Sequence, residues 1–221
     1  MFETPIPSMS ERELRNAALA RRAAAQSMVL LRNERHALPL NAGEPLALYG
    51  IGAVRTSRCG SGSGDPFNGG LSGGGEVHVN LSPRYHINIL DALEQAGVDV
   101  RTAQLLRAAA VGYDAAHEIA GSNPMQIFAY PDLTLTEGDL AAAETAVYVL
   151  SRNAGEGADR SMTSTVEIDG VQHEIGDYRM SAVEKANLKL LRAHYARLVL
   201  VLNTGGPVEM SEVLEIAPDA I

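Results

Sequence analysis

A single cysteine, Cys59, excludes any internal disulfide. Without a covalent staple the chain suits a reducing compartment, and a cytoplasmic location is expected. Basic charge is scarce. Lys and Arg number 18 against 27 Asp and Glu, a formal net charge of −9. That balance argues against a nucleic-acid partner, because phosphate contacts need a basic surface. No apolar run approaches the ~18 residues of a membrane-spanning helix, so no membrane partner is expected. Met1–Arg12 is polar, carries Pro5 and Pro7, and lacks the apolar segment of a secretory signal. The sequon Asn80-Leu81-Ser82 therefore reads as coincidence. Metal-ligand spacing is missing too. His36, His78, His86, His117, His173 and His194 form no ligand pattern, and His117-Glu118 has no second histidine one helical turn on. No metal or other cofactor is expected.

What is present is ordinary for a soluble globular chain: 221 residues, 46% hydrophobic and 20% charged. A chain of this length buries roughly 70% of its unfolded surface in one core, so residues 1–221 are read as one domain. Ser10-Glu11-Arg12-Glu13 is a capping box. The helix behind it places Leu14, Ala17, Ala18, Ala24, Ala25 and Met28 near one face, and Val29-Leu30-Leu31 follows as a short extended piece. Leu46–Tyr49, Val98–Val100, Ala146–Leu150 and Leu198–Leu202 read as short buried strands. Helices are expected from Ser82-Pro83 to Gly97, over Leu105–Ala120, after Thr136, after Ser181 with its capping partner Glu184, and after Gly205-Gly206-Pro207. Val166–Ile168 with Asp169-Gly170 suggests a hairpin. Alternating helices and strands predict an α/β fold, a mostly parallel sheet with helices on both faces. The ending Pro218-Asp219-Ala220-Ile221 resembles the start of a further strand, and a truncated domain is expected.

In such sheets ligands bind beyond the carboxyl ends of the strands. Three loops should emerge there: the glycine-rich stretch after Tyr49, Ser151–Arg160, and Asn203–Pro207. Ten of the 21 glycines lie from Gly50 to Gly75, too dense for a regular element. The dinucleotide fingerprint fails there, because Arg55 stands where the next glycine is required. Gly60–Gly64 is no nucleophile elbow, since Gly62 holds its centre. Cys59, with only Arg58 as a basic neighbour, reads as a bystander thiol. In Ser151–Arg160, Glu156 stands between Gly155 and Gly157, with Asp159 and Arg160 close by. The glycines would let its carboxyl approach a ligand. A solvated loop with a local salt bridge explains the same charges.

Five segments in order carry a family resemblance. They are Ser27-Met28-Val29-Leu30-Leu31-Arg32-Asn33 with Ala37-Leu38-Pro39-Leu40; Ser61-Gly62-Ser63-Gly64-Asp65; Ser151–Arg160; Gly176-Asp177-Tyr178; and Asn203-Thr204-Gly205-Gly206-Pro207-Val208-Glu209-Met210. The chain resembles the α/β sandwich domain of glycoside hydrolase family 3, the β-glucosidase-type enzymes. The resemblance implies an (α/β)6-sandwich-like fold and no cofactor. It implies Glu156 as the acid/base of a retaining glycosidase, with Asp65, Ser63 and Arg160 as substrate contacts. The aspartate nucleophile would come from a (β/α)-barrel domain of the same protein, which the chain does not contain. Inverted domain order, with the barrel after Ile221, is the arrangement expected. A β-glucoside is the substrate class implied, and the chain alone would be inactive. Cys59, Ser61 and Pro66-Phe67-Asn68 depart from the family pattern in the glycine loop. A non-catalytic α/β module that binds a sugar or a protein is the alternative.

Overall fold

The computed structural model describes residues 9–57, 87–120, 131–152 and 161–221. Its centre is a parallel sheet of β1 (Leu46–Tyr49), β2 (Thr145–Arg152) and β5 (Arg197–Thr204), in the order β1-β2-β5. Single bridges extend it on both sides: Val100 lies parallel to Leu46, and Ala220 lies parallel to Val199 and antiparallel to Asn33. The extended terminus expected from Pro218–Ile221 is thus an added rung beside β5. Leu31 N donates to Ile221 O at 2.8 Å and Ile221 N to Arg32 O at 3.0 Å, so part of the Val29–Leu31 segment is strand-like as well.

The central strands are apolar along their length because both faces are covered. Ala146, Tyr148 and Leu150 of β2 join Leu198 and Leu200 of β5 under α4 (Ala182–His194) and α5 (Ser211–Ile216). Val147 and Val149 face the other way, with Leu46, Leu48 and Val199, under α2 (Ile89–Gln95) and α3 (Ala103–Ala120). Each large aliphatic side chain buried this way contributes about 1.5–3 kcal/mol. Burial in α4 falls on Glu184, Asn187, Leu188 and Leu191, the spacing of one helical face. The expected hairpin forms from β3 (Thr163–Ile168) and β4 (Val171–Gly176). Asp169 and Gly170 both have positive φ, 51° and 75°, which matches the twist of a two-residue turn.

Two expectations need correction. α1 (Glu11–Ser27) has its capping box but buries none of its residues. Its stripe is mostly alanine, too small to bury much surface, so local capping and the Glu11–Arg15 pair support it instead. Met28 caps the helix end and is 79% exposed. The helix expected to end at Gly97 begins at Ile89, and Ser82-Pro83 lie outside the described residues. Asn88 is its N-cap, accepting from Asp91 N at 2.8 Å, and Ile87 precedes the helix. A side-chain cap four residues ahead of Ala92 fixes where the first turn can start. Gly97, at φ 80°, ends that helix as expected. Among the described residues no helix is long and apolar enough to cross a membrane.

Candidate active site at the carboxyl edge of the sheet

β1, β2 and β5 run parallel in register, with Tyr49 opposite Tyr148, Ser151 opposite Asn203 and Arg152 opposite Thr204. Their carboxyl ends therefore share one edge, and the three loops expected there leave from it. β1 stops at Gly50 because the chain must pass β2 closely: a Cβ at Gly50 would stand 2.4 Å from Val149 O. A short 3-10 turn, Ile51–Ala53, follows. The carboxamide of Asn203 then ties the roots of the three loops together. Its Oδ1 accepts from Ser57 N at 2.7 Å and Ser151 Oγ at 2.8 Å, and its Nδ2 donates to Ser57 O at 3.0 Å.

Arg152 ends β2 and is 3% exposed. Its guanidinium meets the carboxylate of Glu184 fork to fork, Nη1 to Oε1 and Nη2 to Oε2, both at 2.7 Å. The remaining donors reach Asp177 O at 2.8 Å, Ser151 O at 2.8 Å and Arg179 O at 3.4 Å. All the N–H groups of the arginine are thereby engaged. Glu184 also closes the capping box of α4, accepting from Ser181 N at 2.8 Å. Gly176 leaves space for this pair, since a Cβ there would lie 2.0 Å from Arg152 Nη2 and 2.2 Å from Glu184 Oε2 and force one of them to shift.

Beyond residues 153–160 the chain returns to the same place. Ser161 N donates to Asp177 Oδ2 at 2.9 Å, Tyr178 N to Ser161 O at 3.0 Å, and Arg179 N to Met162 O at 2.8 Å. Arg152 and Ser161, the two flanks of segment 153–160, are both fastened to Asp177–Arg179. Glu209 N donates to Tyr178 O at 2.7 Å and brings the chain after β5 to that platform.

Asp132 was not visible from the sequence. Its carboxylate accepts from Ile51 N and Leu133 N, at 2.9 and 2.8 Å, and from the Tyr148 hydroxyl. Burial pushes its pKa from 3.8 up to about 6, against the lowering effect of those bonds. Burial, with the Asp132 charge, moves the Tyr148 hydroxyl well above its ordinary range. No pattern of spacing marks Asp132. Arg152 had a signal, a lone cation closing a run of buried apolar residues, but its partner Glu184 looked only like a helix cap.

Glu156, Arg160, Asp65 and Ser63 lie outside the described residues, as does Cys59. Among the described residues no cluster of three or more His, Cys, Asp or Glu is placed to hold a metal ion.

A parallel sheet sandwiched by helices, with its loop roots gathered at one edge, defines the α/β-sandwich class of site-bearing domains. Residues 28–221 match the glycosyl hydrolase family 3 C-terminal domain, and the chain belongs to that family. It is 28% identical over 200 residues to β-glucosidase A of Butyrivibrio fibrisolvens, covering 85% of this chain and 22% of that protein. Over 157 residues it is 27% identical to a β-glucosidase of Ruminococcus albus, covering 71% of this chain and 15% of that one. Its fold is similar to β-glucosidase 3B of Thermotoga neapolitana solved with glycerol, with TM-score 0.69, 27% identity, and 94% of this chain against 26% of that one. The chain thus spans about a fifth of the curated relatives it matches.

Proposed function

We propose that this domain supplies the general acid/base of a retaining glycosidase acting on β-glucosides, with Glu156 as the group concerned. One observation supports the reading: in a chain of this family, β2 ends at Arg152 on the edge where the three loop roots converge, and Glu156 stands four residues further along the sequence. Ligands of parallel sheets bind at that edge. Retaining chemistry needs two carboxyl groups about 5–5.5 Å apart. A (β/α)-barrel of the same protein would contribute the second, as nucleophile. Glu156 protonates the leaving oxygen while the nucleophile attacks the anomeric carbon. It then takes a proton from the water that releases the sugar. Asp65, Ser63 and Arg160 would hold the sugar hydroxyls. Partial burial against the barrel would keep the Glu156 carboxyl protonated near neutral pH.

Glu156→Gln in the full chain carrying this domain tests the reading. Expected is a loss of roughly 10²–10⁴-fold on unactivated glycosides. Activated aryl glucosides should be cleaved to a trapped glycosyl-enzyme that added azide releases. Wild-type hydrolysis of cellobiose by the variant would remove Glu156 from the mechanism and leave a sugar- or protein-binding module as the better account.

A further inference from the structure

We infer that Arg152 and Glu184 are positioning residues, whose buried pair fixes the root of the segment that carries the acid/base. This rests on the reading of Glu156 above. A buried ion pair is a poor device for stability alone, because the desolvation of both charges offsets their attraction, and apolar residues of equal volume often do as well. An apolar pair could not do what this one does. The guanidinium joins the end of β2, the carbonyls of Asp177 and Arg179, and the first turn of α4 in one set of directional bonds. Gly176 leaves room for it to within a Cβ radius.

The second support is independent of the pair. Ser161, on the far side of segment 153–160, is fastened to the same residues through Asp177 Oδ2 and the backbone of Tyr178. Ser164 Oγ donates to Asp177 Oδ2 as well, at 3.1 Å, which ties in the β3–β4 hairpin. Both flanks of the segment thus take their position from one platform, and the Arg152–Glu184 pair orients that platform against β2. General acid catalysis is sensitive to such placement, since a shift of about 1 Å can cost roughly 10²-fold in rate.

The test is the ratio of kcat/KM on cellobiose to kcat/KM on dinitrophenyl β-glucoside, measured in the full chain. The first substrate needs its leaving oxygen protonated and the second does not, and the ratio is independent of how much of each variant is folded. Arg152→Lys keeps the charge but loses the fork. Gly176→Ala displaces the pair without changing either member. Each should lower the ratio by roughly 10-fold to 10²-fold. In a Glu156→Gln background neither should lower it further. If Arg152→Lys and Gly176→Ala reduce both substrates equally while Glu156→Gln remains selective, the pair is structural only and the inference fails alone. If Glu156→Gln is itself unselective, the reading of the acid/base fails and this inference falls with it.

Discussion

Asp132 shows how one residue can be set by its surroundings rather than by its neighbours in sequence. Three donors converge on its carboxylate, yet burial outweighs them and the group holds its proton up to about pH 6. Its folded pKa is raised, so the folded state keeps a proton that the unfolded chain has lost. Stability from this group is therefore greatest below about pH 4. It declines as pH rises from about 4 to about 6, leaving a cost of roughly 1–3 kcal/mol at neutral pH. Asp132→Asn keeps the shape and can still accept from the backbone. Urea denaturation between about pH 4 and 7 should show the decline in the wild-type chain and a flatter curve in the variant. Parallel curves would mean another group titrates in that window.

At the scale of elements, two identical capping boxes have unequal consequences. Ser10 and Glu13 cap α1, and Ser181 and Glu184 cap α4. α1 buries nothing, whereas α4 buries Leu188 and Leu191 and shares Glu184 with Arg152. Ser181→Ala should lower global stability by about 1 kcal/mol in chemical denaturation. Ser10→Ala should leave the global midpoint in place and raise amide exchange within α1 alone. An equal shift of the midpoint by both would show that α1 is docked after all. The glycine at 176 belongs to this scale too: a side chain at the end of β4 would displace the tips of Arg152 and Glu184.

Across the whole molecule, distant segments are tied at Asp219, which is 3% exposed. Its Oδ2 accepts from Arg192 Nη1 at 2.6 Å and Leu198 N at 2.8 Å, and its other oxygen pairs with Arg35. One carboxylate thereby joins the entry segment, α4, β5 and the added rung at Ala220. Asp219→Ala strands a buried N–H and uncouples two arginines. A loss of roughly 2–4 kcal/mol is expected, discounted because Arg35 is largely exposed. A change below about 0.5 kcal/mol in guanidinium denaturation would show that these segments hold without it.

The sequence alone determined what depends on local chemistry. Capping boxes at Ser10 and Ser181, the Asp169-Gly170 turn, the stop at Gly97 and the buried strands were legible, because hydrogen-bond geometry and periodicity act over a few residues. Strand identity sufficed to put the loops after Tyr49, Leu150 and Leu202 on one edge, and ordered motifs pointed to the family that residues 28–221 match. Tertiary structure decided the rest. No local rule pairs Arg152 with Glu184, sends Tyr148 to Asp132, gives Asn203 to Ser57, or leaves the apolar stripe of α1 uncovered. Each of these depends on which distant groups share a desolvated space, and the free energy of a charge or hydroxyl there is set by that space.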